Sequence, residues 1–218
     1  LGRGKEMLTH GNFRLVDVGT GVRVTEGLTD LRTMTIPLNR VQALEVIQPI
    51  WWRPLGWWRV RVNVAGVGSS GSGDGEGERE TTLLPVGTLD DALRVLTLLA
   101  PRVPASQWND AVLGERPQRG WQTSSARAKL FDPLSWRRNG WSDTDGAVLL
   151  RSGRLTRRAI AVPHARIQSL TLQQGWLQAS RRVATLHVIP APGPISPVID
   201  HLDTEAAHDA FDRLNERA

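Results

Sequence analysis

Tryptophan and arginine alternate in one short segment, and their chemistry suggests a binding surface. The segment surrounds a Pro-Leu-Gly turn and contains six such residues: Trp51, Trp52, Arg53, Trp57, Trp58 and Arg59. Aromatic rings interleaved with cations are typical of a membrane interface, of a surface that stacks nucleic-acid bases, or of a protein contact. The competing interpretation buries the rings in the core. We predict that this segment contacts a membrane or a membrane-embedded partner.

The sequence contains no pattern that indicates catalysis, a cofactor or a bound metal. There is no cysteine, and the five histidines form no HExxH or HxxxH pair, so neither thiolate nor paired-imidazole metal ligation is indicated. Residues Gly66–Gly71 match the dinucleotide fingerprint GxGxxG. The glycine-rich, acidic residues after them cannot form the helix that would hold a pyrophosphate. We therefore predict a non-enzymatic protein with no catalytic, cofactor-binding or metal-binding residues.

A repeat emerges when the sequence is shifted by 126 residues against itself. Residues 36–44 then align without gaps with residues 162–170, and proline, arginine, glutamine and leucine are identical. The motif residues are Pro37, Arg40, Gln42, Pro163, Arg166 and Gln168. Because proline cannot donate to a sheet ladder, each copy belongs at a strand end or bend. We predict structural roles for the arginines and glutamines, whose side chains would satisfy carbonyls left without ladder partners.

Alternating apolar and polar residues predict mainly β structure in both copies of the repeat. Val60, Val62 and Val64 form one such strand, and Leu186 and Val188 form its counterpart. An irregular step at the motif glutamines predicts a β-bulge in each copy.

Each copy closes with a segment of helical periodicity. Thr88 followed by two aspartates is a helix start, and Ala207, Phe211 and Leu214 share one helical face. The predicted organisation has three parts: a first domain at 12–100, a linker at 101–135 and a second domain at 136–217. Within the first domain, the glycine-rich and acidic segment Gly66–Glu80 is predicted to be a mobile loop.

Charge and hydropathy restrict the possible partners only loosely. The net charge is +5, which suits an anionic lipid surface or a nucleic acid equally well. No stretch approaches the eighteen or so apolar residues that a membrane-spanning helix needs. Because the chain begins with Leu1 rather than Met, we expect it to be a fragment of a longer protein.

The repeated block resembles bacterial pleckstrin-homology-like domains of the second type, which occur in YdbS/YdbT-like membrane proteins. The resemblance rests on TIPxxRVQ at Thr35–Gln42 and on AVPxxRIQ at Ala161–Gln168, and it covers residues 12–100 and 136–217. It implies two pleckstrin-homology-like antiparallel barrels or sandwiches in tandem, each with a C-terminal helix. The second copy departs from the pattern, since Ser180–Arg182 stands where the first has Pro54–Gly56. Contacts of that loop are therefore expected to differ between the copies.

We conclude from the sequence that the chain is a non-catalytic scaffold or interaction module. The resemblance implies a location at the cytoplasmic face of the cell membrane, with a membrane or membrane-protein partner. Two alternatives stay open: a peripheral binder of anionic lipid through the basic-aromatic loop, and a nucleic-acid binder, which only the charge favours. The sequence leaves the oligomeric state open.

Overall fold

A computed structural model describes residues 7–10, 13–17, 19, 21–26, 32–65, 82–116, 118–191 and 193–217. Strands predominate over helices in these residues, and each of the two units ends with a helix. This confirms the mainly β fold class. The segment Gly66–Glu80 lies outside the described residues, so the mobile loop there stays a prediction.

The first unit folds into two antiparallel groups of strands followed by a helix. Its described elements are β1 (Met7–His10), β2 (Phe13–Asp17), β3 (Gly21–Glu26), β4 (Arg32–Pro37), β5 (Val41–Pro49), β6 (Trp58–Val64), β7 (Thr82–Gly87) and α1 (Leu89–Leu99). Strands β1 to β4 form a sheet in chain order. Helix α1 begins with a capping box: the Asp91 amide donates to the Thr88 hydroxyl, and the Asp91 carboxylate accepts from the Thr88 amide at 3.0 Å.

The second unit repeats this order of elements. A helix α2 (Ala105–Leu113) precedes it, and its described elements are β8 (Gln122–Thr123), β9 (Gly140–Asp143), β10 (Ala147–Ser152), β11 (Thr156–Pro163), β12 (Ser169–Gln173), α3 (Trp176–Ser180), β13 (Val183–Ile189), β14 (Val198–Asp203) and α4 (Thr204–Asn215). The 3₁₀ turns Leu38–Arg40 and His164–Arg166 lie 126 residues apart, in the register of the repeat. The segment 101–135, predicted to be a linker, contains α2, β8 and a 3₁₀ turn at Ala126–Leu130.

One continuous sheet joins the two units. Its strand order is β7-β6-β5-β11-β10-β9-β8, so that the last three strands of the first unit continue into the first four strands of the second. Strand β5 pairs antiparallel with β11, with Leu44 opposite Ala161 and Pro49 opposite Thr156. In the second unit, the repeat places β12 where the first has β5. Among the described strands β12 is the edge of the sheet β12-β13-β14.

Both faces of the joined sheet are buried, each in its own hydrophobic core. Successive side chains of a strand point to opposite faces, and β10 divides its residues accordingly: Leu149 packs in the core with α1 and α2, whereas Val148 and Leu150 pack in the core with β13 and α4. Strand β5 carries the predicted bulge, because its register with β6 shifts between Val41 and Ala43, at the motif glutamine.

Two buried arginines attach α2 to the second unit. Arg138 and Arg151 together donate to the backbone carbonyl oxygens of residues 110, 111, 112, 114 and 116. The last turn of a helix leaves its carbonyls without partners, and cations are favourable at that end. The Arg151 guanidinium also lies 4.3 Å from the centre of the Trp121 ring. Segment 101–135 is therefore bound to the second unit through α2 by buried polar contacts.

Candidate functional site

The Trp51–Arg59 segment covers most of the loop between β5 and β6 and the first two residues of β6. It starts as a 3₁₀ turn at Ile50–Trp52 and closes at Gly56, whose φ of 65° lies in the left-handed region that glycine adopts without strain. The Trp57 amide donates to the Trp52 carbonyl at 3.1 Å. These backbone bonds give the loop a defined shape, which fixes the directions of its side chains.

The six predicted contact residues separate into supporting and exposed groups. Trp58 is buried in the first core. Trp52 meets Trp57 edge to face at 6.2 Å between ring centres, and the Arg59 guanidinium lies 5.1 Å from the Trp52 ring centre. These contacts support the loop at the surface, because Trp52 is half-buried whereas Trp57 and Arg59 are exposed. Trp51 points outward with 73% of its surface exposed.

The loop lies against a turn of the second unit. Because β5 pairs with β11, the end of β5 meets the turn between β10 and β11, and Arg53 donates from Nη2 to the Arg154 carbonyl. Large apolar side chains are exposed on both sides of this contact: Leu55 is 57% exposed and Leu155 is 55% exposed. Arg53, the remaining predicted contact residue, therefore lies between the two units.

A pocket rich in arginine opens beside this contact. Its volume is about 100 Å³ and its lining includes six arginines, namely Arg53, Arg116, Arg137, Arg138, Arg154 and Arg157. Glu115 is the one carboxylate among the lining residues, and Leu134 lines the rim with 58% of its surface exposed. We call this the arginine pocket. Six guanidinium groups and one carboxylate give it a formal charge of +5, as large as the net charge of the chain.

Only part of this positive charge is neutralised inside the pocket. Arg157 donates to the Glu115 carboxylate and, at 3.3 Å, to the side-chain oxygen of Gln48; the hydrogen bond from Arg157 lowers the pKa of Glu115. Burial and then the nearby charge of Arg157 lower the pKa of Arg53, and the same two causes lower the pKa of Arg138 to about 9. Neighbouring positive charge contributes to each of the three shifts, although burial is the larger cause for the two arginines.

Two pocket nitrogens are buried without a hydrogen-bond partner among the described residues. They are Nε of Arg53 and Nε of Arg157. Buried donors are nearly always paired in folded proteins, so each unpaired one calls for an explanation. Together with Trp51, Leu55, Leu134 and Leu155, the arginine pocket makes up what we call the joint surface.

The six motif residues lie away from the joint surface, on the strand ends and bends where the repeat predicts them. Pro37 and Pro163 end β4 and β11. Arg166 donates from Nη2 to the Asn39 carbonyl of the first unit, and Arg40 is exposed. The side-chain nitrogen of Gln42 lies 3.5 Å from the Arg40 carbonyl oxygen, whereas Gln168 is exposed and its backbone N–H donates to the Ile189 carbonyl at 2.8 Å. The structural roles of Arg40 and Arg166 stay predictions.

The second unit carries a different surface at the matching place. Helix α3 begins with Trp176, which is 84% exposed, and Leu177 is also exposed. Arg181 and Arg182 follow and are exposed. Because β12 is an edge strand within the described chain, no strand from another unit brings a second turn beside this loop.

Sequence reasoning did not find the arginine pocket. Its lining residues come from the β5–β6 loop, from residues 115–116, from residues 134–138 and from the end of β10 to β11, and no local motif links these segments. The pairing of β5 with β11 brings them together.

Two further properties concern metal and membrane chemistry. Among the residues that the structure describes, there is no group of three or more histidine, aspartate or glutamate side chains arranged to hold a metal ion. In the same part of the chain, none of the helices combines the length and the apolar character needed to cross a bilayer.

Comparison with known protein families gives two matches to one family. Residues 7–103 and again residues 125–218 match the family described as Bacterial PH domain. A comparison with curated proteins finds no match. The two matched regions cover most of the chain and contain the two units seen in the fold, which confirms the pleckstrin-homology-like resemblance. The chain therefore belongs to the bacterial PH domain family.

Proposed function

We propose that the chain is a non-catalytic interaction module that binds an anionic membrane surface through the joint surface. Membership of the bacterial PH domain family supports an interaction role. The observation that carries the proposal is the exposed Trp51, which lies two residues before Arg53, a lining residue of the arginine pocket. Since a fold does not determine a function, the proposal rests on this surface and not on the ligands of other pleckstrin-homology domains.

The apolar part of the joint surface fits the interfacial region of a bilayer. Trp51, Leu55, Leu134 and Leu155 are each more than half exposed. Leu134 lines the arginine pocket, and the other three lie within two residues of Arg53 or Arg154, which also line it. Single exposed apolar residues are ordinary, but such a group indicates an interaction site. Tryptophan favours the membrane interface, because its ring is apolar while its N–H still reaches water or headgroups.

The charged part of the joint surface adds electrostatic attraction. Each basic side chain close to an anionic leaflet contributes about 1 kcal/mol of binding free energy, and the attraction decays within a Debye length. We place the module at the cytoplasmic face of the cell membrane, since that leaflet carries the negative surface potential.

The test is co-sedimentation with vesicles of phosphatidylcholine, with and without phosphatidylglycerol. We expect the native chain to bind only the anionic vesicles, and Trp51→Ala/Leu55→Ala to bind at least about tenfold more weakly, because burial of each side chain contributes about 1.5–3 kcal/mol. The matched control is Trp176→Ala/Leu177→Ala, which removes the same residue types from α3 and is expected to retain most of the binding.

Two results would reject the proposal. The first is a native chain that does not sediment with anionic vesicles. The second is a Trp51→Ala/Leu55→Ala variant that binds as the native chain does. Thermal unfolding of each variant shows whether it is folded, and we expect no large change, because both substituted side chains are exposed.

A further inference from the structure

We infer that the arginine pocket binds one phosphate group, held between Arg53 of the first unit and Arg154 of the second. The inference deepens the proposed function by naming the chemical group that the joint surface recognises. Phosphate binding itself is independent of the proposed membrane contact, and only the assignment of the phosphate to a lipid headgroup rests on it.

The first argument is the charge that the pocket leaves without a counter-ion. Glu115 is engaged by Arg157, and the Arg138 guanidinium donates to carbonyls in the last turn of α2 and directly after it. Glu115 pairs with Arg157 and not with the other four lining arginines, which are Arg53, Arg116, Arg137 and Arg154. Arg116, Arg137 and Arg154 are exposed, so solvent screens part of the repulsion among these cations, and an anion in the pocket would neutralise the remainder.

The second argument is the set of unused donors. Nε of Arg53 and Nε of Arg157 are buried and have no acceptor among the described residues. A guanidinium offers a planar fork of N–H groups that matches the oxygens of a phosphate, and such charge-assisted bonds are the strong ones. A phosphate group in the pocket would give the guanidinium groups that line it an anionic acceptor.

The third argument is size. At about 100 Å³, the pocket is several times larger than the roughly 30 Å³ that one water occupies in the liquid. It is smaller than the roughly 300 Å³ at which sites for whole small molecules begin. The pocket therefore suits one phosphate group of a larger molecule, with the remainder of that molecule outside.

The surroundings of the pocket favour a lipid as the source of this phosphate. Leu134 stands on the rim, and Leu155 directly follows Arg154 in the turn that Arg53 contacts. An apolar rim around a phosphate pocket matches the layout of a phospholipid, in which the phosphate lies next to the acyl region. A soluble phosphate ester or a nucleic-acid backbone would gain nothing from these exposed leucines.

The first experiment uses inorganic phosphate as the probe, with isothermal titration of the full chain in phosphate-free buffer. We expect saturable binding by the native chain and about a tenfold or larger loss in Arg53→Gln/Arg154→Gln. The control Arg94→Gln/Arg213→Gln removes the same charge from exposed positions of α1 and α4, and we expect it to bind as the native chain does. Arg116→Gln/Arg154→Gln changes two exposed arginines and serves if the first variant is unstable.

The second experiment identifies the source with phosphatidylglycerol vesicles and phosphate as competitor. Competition by phosphate, together with weaker vesicle binding by the pocket variant than by its control, supports a lipid headgroup. Phosphate binding that does not affect vesicle binding keeps the phosphate site but assigns it to a soluble ester. Salt-sensitive binding to mixed-sequence DNA that depends on the pocket arginines overturns the lipid assignment.

The inference as a whole is overturned if phosphate does not bind the native chain, or if the pocket variant binds it as well as the control does. Its failure differs from failure of the proposed function. Trp51→Ala/Leu55→Ala leaves every pocket arginine in place, so we expect that variant to retain phosphate binding while its binding to anionic vesicles is weakened.

Discussion

The two copies of the repeat carry corresponding loops in different surroundings. The loop after β5 lies against the β10–β11 turn, because β11 pairs with the outer edge of β5. The segment after β12 has no such neighbour among the described strands, because β12 is the edge of its sheet. Both segments expose tryptophan and arginine, but only the first borders the arginine pocket. The candidate site therefore depends on the pairing of β5 with β11, which we call the joint, and not on the repeated unit alone.

Two buried charged residues of the joined sheet also differ between the copies of the repeat. Arg151 and Glu45 are buried in the joined sheet, and a shift of 126 residues places Thr25 and Thr171 at the matching positions. Side chains specific to one copy therefore distinguish the two loops.

The largest effect is expected at Arg151, which fastens α2 to the second unit. Arg151→Ala removes the donor to the buried Arg138 carbonyl, together with bonds to the part-buried carbonyls of residues 110 and 116, and an orphaned buried group costs about 1–3 kcal/mol. We expect the free energy of unfolding to fall by about 3 kcal/mol in urea titrations. Arg94→Ala, at an exposed position of α1, is expected to change it by less than about 0.5 kcal/mol.

A loss below about 1 kcal/mol in Arg151→Ala would show that α2 is held mainly by its apolar face. In that case the buried arginines would not explain how segment 101–135 is positioned.

A smaller, pH-dependent change in the free energy of unfolding is expected from a substitution of Glu45 on β5. Its buried carboxylate pairs with Arg158 across the joint and with Arg61 at 3.5 Å, yet burial raises its pKa above 4.5 by more than the two arginines lower it. The folded state then binds more protons than the unfolded state as the pH rises from 4.5 to the folded pKa, so this group destabilises the fold progressively in that window. Glu45→Gln removes the effect.

Urea titrations at about pH 4 and about pH 7 check this expectation. Relative to the native chain, Glu45→Gln should become more stable as the pH rises, whereas Thr171→Val at the matching place in β12 should show no pH-dependent difference. The opposite trend for Glu45→Gln would mean that the two arginines outweigh burial and that the ion pair stabilises the joint at neutral pH.

The sequence predicts the units well because their signals are local. Alternation along β6 and β13, the helix start at Thr88 and the bulge at Gln42 each depend on a few neighbouring residues. The family resemblance followed from the repeated motif for the same reason. Trp58 shows the limit of such reasoning, because only the strand that follows the loop decides that this ring is buried while Trp51 is exposed.

The joint was not predictable in the same way. Nothing near β5 in the sequence indicates that its edge pairs with a strand that begins more than a hundred residues later. The arginine pocket depends on that long-range pairing, since its lining comes from both sides of it. The sequence shows only that arginine is frequent, and the fold shows that six of these arginines line one pocket.

Variants that are changed only in the second unit show whether the contact between the units is needed for vesicle binding. We would compare Arg154→Gln/Leu155→Ser with the control Trp176→Ser/Arg181→Gln in co-sedimentation with anionic vesicles. Each variant removes one exposed arginine and one exposed apolar side chain, from the β10–β11 turn or from the segment after β12, and the control removes the larger apolar surface because Trp176 is 84% exposed. The account predicts at least about tenfold weaker binding for the first variant and near-native binding for the control. Near-native binding by Arg154→Gln/Leu155→Ser would contradict it, because the first unit's loop would then suffice without the joint.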